Sequence, residues 1–202
     1  MSDDYILGLD LGQRRDYSAL AIVERRWKAH PDDADKHVSH YAIRHLRRWP
    51  LGTSYTVVAA DLAALLRQLP LHRPVLVVDQ TGVGQAVVDF MTTRPLSATL
   101  ERVILTSGQQ ATRDASGVWH VPKKELIAGL QQVLQCRRLQ VAALPERALL
   151  IEELQLFRVK ITAAAKETFQ AWRARDHDDL VLAVALACWW AERQGVCPSA
   201  EA

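Results

Sequence analysis

The sequence predicts one α/β domain with a central mixed sheet. Three observations carry that class. ILGLDL and VLVVD are apolar runs of strand length, the pattern of strands covered on both faces. Elsewhere apolar residues recur at helical spacing, as at Val58, Leu62, Leu65, Leu66 and Leu69. The 202 residues supply one sizeable core and leave little for a second.

Taken in order, residues 5–11 read as a buried strand and residues 18–23 as a second, joined by a polar turn over 12–16. Residues 37–49 read as a third strand, longer and more exposed, with HPDDADKH before it as a polar turn. The period changes at Thr53, where Thr53 or Ser54 can cap a helix. Pro74 resets the chain into the strand PVLVVDQTG. Residues 82–91 read as a helix and 102–106 as a strand. Residues 107–122 are polar with a short apolar patch around Trp119, the signature of a hairpin or a mobile loop. Leu126, Ile127, Leu130, Val133 and Leu134 mark an amphipathic helix, residues 147–157 another, and a last helix starts at Asp178 or Asp179.

Bulk properties narrow the function classes. A net charge of +2 neither demands nor excludes nucleic acid, because a local basic groove can sit on a near-neutral protein. The cysteines, Cys136, Cys188 and Cys197, are odd in number and lack CxxC spacing, which argues against a disulfide framework or structural zinc and fits a reducing cytoplasm. The start, MSDDYILGLD, is acidic and enters a strand at once, unlike a signal peptide. The longest apolar run, residues 180–191, falls short of the roughly 20 residues of a membrane helix, so no membrane partner is expected.

The chemistry gathers around acids. In RDHDDLVLAVALACWW, carboxylates and a histidine stand directly before an uncharged helix. An N-cap role explains one Asp, not two with His177 before them. Asp10 lies inside an apolar strand and Asp79 closes another. A buried acid is costly unless paired, hydrogen-bonded or bound to metal. Both sit near carboxyl ends of strands, where sites collect in open α/β sheets. Acids at a helix start can join them, and such a cluster implies divalent cations. Oxygen-only ligands favour Mg2+ or Mn2+ over zinc, and two ions about 4 Å apart suit phosphodiester hydrolysis. Asp16 reads as a turn residue that can support the cluster, and His177 as a surface or orienting residue. Asp89 and Glu24 read as solvated or structural.

The order of motifs resembles the nuclease domain of phage terminase large subunits, within the ribonuclease H-like superfamily. ILGLDLGQRRDYSALAIVE resembles the first motif, an Asp on strand one followed by a Gly turn, an Asp and Ser-Ala. VLVVDQTGVGQAVVDFM resembles the second, an acid closing a strand and then Gly-x-Gly. KETFQAWRARDHDDLVLAVALACWW resembles the third, His-Asp-Asp before an apolar helix. VPKKELIAGLQQVL and EELQLF are similar to the family's intervening helices, so the likeness spans nearly the whole chain.

The resemblance implies a mixed sheet of five or more strands flanked by helices. It implies a metal-dependent endonuclease acting on double-stranded DNA with little sequence preference. Asp10, Asp79 and Asp179 would be metal ligands, with Asp178 replacing or assisting the last and Asp16 and His177 secondary. Phosphate contacts would come from Arg14, Arg15, Lys123, Lys124, Arg173 and Arg175. Trp119 and His120 can touch DNA or pack on the domain. The family's ATPase motor is expected elsewhere, since no G-x-x-x-x-G-K-[ST] occurs and the whole of 1–202 reads as one isolated nuclease domain. Other readings are a Holliday-junction resolvase-like nuclease, an actin-like phosphate-binding protein suggested by LGLDLG, and a non-catalytic module.

Overall fold

The computed structural model describes residues 4–12, 16–30, 33–68, 71, 74–82, 88–90, 93, 97–164 and 178–194. Its strands are β1 (Asp4–Asp10), β2 (Ala19–His30), β3 (Asp33–Arg48), β4 (Val75–Asp79), β5 (Thr99–Thr106), β6 (Thr112–Arg113), β7 (Trp119–Pro122) and β8 (Leu139–Val141). The long helices are α1 (Tyr55–Gln68), α2 (Lys123–Gln135), α3 (Arg147–Ala164) and α4 (Asp179–Arg193).

The strands form one mixed sheet in the order β6-β7-β5-β4-β1-β2-β3-β8. Strands β1, β4, β5 and β7 run parallel, while β2 is antiparallel to both β1 and β3. Alternation along the strands divides the core in two. Leu7, Leu9, Leu20, Ile22, Leu76 and Val78 face α1 with Val58, Leu62 and Leu66. Ile6, Ala19, Ala21, Val23 and Val77 face the other way, onto α4 and its neighbours α2 and α3. Helix α4 is buried from Leu180 to Ala191 because sheet, α2 and α3 enclose it, so an all-apolar sequence is what its position requires.

Several details differ from the sequence reading. The β2–β3 ladder continues to the pair His30–Asp33, so most of HPDDADKH is strand; cross-strand pairing outweighs the polar composition of this hairpin end. Strand β5 begins at Thr99 and α3 continues to Ala164. Of the helix expected at 82–91, residues 83–87 and 91 lie outside the described residues, and 88–90 are helical. The segment around Trp119 is a hairpin, β6 against β7. Ser54 caps α1, accepting from the Val57 N–H at 3.4 Å.

Candidate active site

Asp10 and Asp79 are register partners at the carboxyl ends of the parallel pair β1 and β4. Each keeps the parity of a residue in the α4-side core, Ile6 and Val77, so both carboxyls face the helix layer. Gly8 permits the close approach of that layer. A Cβ there would stand 1.9 Å from the Ala183 carbonyl oxygen. Without the glycine, α4 could not lie against β1 one turn from its own acids. Asp79 is oriented by its turn: Oδ1 accepts the Thr81 N–H at 2.7 Å, and Thr81 Oγ1 accepts the Leu105 N–H at 2.7 Å. Gly82 follows with φ 81°, a left-handed turn that glycine allows without strain.

The start of α4 resolves the puzzle of two successive aspartates. Asp178 occupies the N-cap position, yet its side chain makes no capping bond. The cap comes from another helix. Glu153 of α3 reaches across with Oε2 to accept the N–H groups of Leu180 at 2.9 Å and Val181 at 3.2 Å. Its Oε1 receives Arg48 at 3.2 Å. Arg48 in turn stacks over Tyr17, 4.2 Å from the ring centre. With the helix end satisfied from outside, neither Asp178 nor Asp179 is needed for capping. Asp178 Oδ2 is buried, accepts no hydrogen bond, and has the Lys123 ammonium 3.6 Å away.

Electrostatics tie these groups into one cluster. Asp10 is held well above the usual carboxylate range by burial, then by the charges of Asp79, Asp179 and Asp178, while Lys123 pulls the other way. Burial also raises Asp79, against its Thr81 hydrogen bonds and the Lys123 charge. Asp179, 4% exposed, is pushed up to about 7 by burial, then by Asp178 and Asp16, with Arg48 opposing. Glu153 is likewise raised to about 7, first by burial. Carboxyls that oppose one another's ionisation this way are the donor set a hard cation would neutralise. Among the described residues no three side chains already form a finished ion-binding shell. The donor chemistry nonetheless fits magnesium or manganese: oxygens only, buried, mutually repelling, with Asp178 Oδ2 accepting no hydrogen bond.

Of the residues singled out in the sequence, Asp79, Asp178 and Asp179 bear on Asp10, and Asp178 and Asp16 bear on Asp179. Lys123 joins them and is ion-paired to Asp178. Lys124 instead hydrogen-bonds Gln109. His177, Arg14, Arg15, Arg173 and Arg175 lie outside the described residues. Trp119 packs edge-on against Trp189 and donates to Glu101, while His120 bonds Asp114, so both are engaged with the domain. Glu24 is structural, buried and held by Arg26 and Arg44. Arg48 and Glu153 went unnoticed in the sequence. A signal existed for Glu153: it falls on the same helical face as Leu150 and Leu154, an acid where an apolar residue is expected.

No protein-family model matches the sequence. No curated protein matches it either. Solved structures do. The large terminase nuclease of the thermophilic phage G20c aligns with a TM-score of 0.56 at 20% identity, over 92% of this chain and 81% of that one. The chain has the fold of the terminase nucleases. The Mn-soaked terminase nuclease domain of human cytomegalovirus aligns with a TM-score of 0.52 at 14% identity, over 93% of this chain and 83% of that one. The likeness bears out the expected α/β fold of the terminase nuclease type, and the mixed sheet has eight strands among the described residues.

Proposed function

We propose that this chain is a divalent-metal-dependent endodeoxyribonuclease of the terminase large-subunit type. It hydrolyses phosphodiester bonds of double-stranded DNA with little sequence preference, during viral genome packaging and alongside an ATPase motor. The observation that carries the reading is the meeting of Asp10 and Asp79, at adjacent strand ends, with Asp178 and Asp179 at the start of α4, in a terminase nuclease fold.

Asp10, Asp79 and Asp179 would hold two magnesium or manganese ions, with Asp178 assisting. Bound there, the ions would activate a water and neutralise the leaving oxygen. The protein's own contribution is positioning. Thr81 aims Asp79, Glu153 anchors the start of α4 beside Asp179, and Asp16 adds negative charge at the rim. Arg14, Arg15, Lys124, Arg173 and Arg175 would meet phosphates, which gives affinity without base identity.

Supercoiled plasmid tests this directly. Nicking is expected with manganese, more weakly with magnesium, and not at all with a chelator. Equal activity in chelator would sink the metal mechanism. A strong preference for four-way junctions over linear duplex would move the protein to the junction resolvases.

A further inference from the structure

Lys123 is the first residue of α2, directly after β7. Strand β7 ends at Pro122 in register with Thr106 of β5, and β5 lies beside β4. The ammonium is thereby carried to the strand ends that hold Asp10 and Asp79. It stands 3.6 Å from Asp178 Oδ2, with its side chain only 26% exposed. Strand β4 in turn pairs with β1, so α2 starts at the same edge of the sheet where Asp79 and Asp10 end their strands. One cation is thus paired with the residue before α4, at the strand ends that carry the acids of β1 and β4. A lysine serving only DNA phosphates would point into solvent, on a flexible stem with its charge hydrated.

We infer that Lys123 is the internal counter-ion of the acid cluster, and that divalent ions must displace it to enter. The inference rests on the metal-centre reading above and adds a competition to it. An ammonium tethered among the acids keeps the metal-free cluster together. It also weakens ion binding, because an incoming dication meets a positive charge already in place. Metal occupancy is then set by the balance between the tethered cation and the free ones.

The test compares the wild type with Lys123→Met and Lys123→Arg by manganese titration calorimetry, and by thermal melting in chelator. Lys123→Met should bind manganese at least about tenfold more tightly, since unit charges this close interact by several kcal/mol even at protein-like screening. It should also melt at lower temperature in chelator, having lost the counter-ion. Lys123→Arg should stay near wild type in both. Equal manganese affinity in wild type and Lys123→Met overturns the inference and leaves the metal centre standing, as does an Arg variant that behaves like Met. Flat titrations for every protein remove the metal centre itself. Ammonium NMR on the wild type reads the displacement without any variant: the Lys123 signal should shift on adding magnesium, and an unmoved signal defeats the idea.

Discussion

The two ends of α4 treat carboxylates in opposite ways. A helix dipole favours negative charge at the N-terminus and disfavours it at the C-terminus. Yet Asp179 at the start is pushed up to about 7, while Glu192 near the end is held below its ordinary value despite burial that works against it. The difference lies in partners. Glu192 receives a two-pronged bond from Arg138, at 2.6 and 2.9 Å, and a hydroxyl bond from Tyr41. Asp179 sits among other acids. Specific neighbours therefore outweigh the dipole. One end of the helix fastens it to the sheet, and the other is an accumulation of like charge that makes no sense as fastening.

Substitution should separate the two ends. At the acid end, Asp10→Asn and Asp79→Asn should each cut plasmid nicking by more than about a hundredfold, since even residues one step behind a metal ligand cost 10- to 100-fold. Both should leave the melting temperature in chelator unchanged or higher, because a repelling charge has gone. A nicking rate within a few-fold of wild type would dissolve the contrast between the ends. At the fastening end, Arg138→Ala should lower stability by about 2 kcal/mol, less than a fully buried pair because Glu192 keeps contact with water, and leave nicking intact below the melting point. Chemical denaturation measures the first, the plasmid assay the second.

Glu153→Ala should fall between the two. Loss of a helix cap costs about 1 kcal/mol, and disturbance of the acids behind it should slow nicking by about tenfold. Glu153→Gln keeps one capping oxygen and should recover much of the stability. Stability restored without any recovery of rate would show that the Glu153 charge, and not only its cap, serves the site.

The remaining test varies pH and leaves the sequence intact. The Asp179 carboxyl rises from an ordinary 3.8 to about 7 on folding, so between those values the folded chain binds more protons than the unfolded one. Stability in chelator should decline as pH climbs through that window, with the loss complete above about 7. Glu153, raised from 4.5 to about 7, adds the same sign. Asp179→Asn should flatten the decline, and manganese should reverse it. A melting temperature that climbs steadily from pH 4 to 7 in chelator contradicts the assignment.

Much of this was legible in the sequence because it rests on local pattern. Asp10 and Asp79 stood out as acids ending apolar strands, and strand ends gather in α/β sheets whatever the details. The Asp178–Asp179 pair was legible for the same reason. What stayed hidden depends on contacts between distant segments. Glu153 caps a helix 27 residues away, so no window containing Asp178 reveals that its own capping role is taken. Lys123 read as a phosphate contact beside Lys124, because nothing in KKEL says which lysine β7 will carry inward. The length of the β2–β3 ladder was missed since strand pairing, rather than composition, extends it past polar residues.

The register of β1 on β4 has one further consequence. Hydrogen-bonded strands sit about 4.8 Å apart, a spacing dictated by the peptide backbone and not by side-chain choice. Asp10 and Asp79 are opposite one another across that gap. Their separation is thus graduated by the sheet itself, like marks on a ruler. Repacking of the interior over evolutionary time can change which apolar residues fill the layers while the interval between these two acids stays the same.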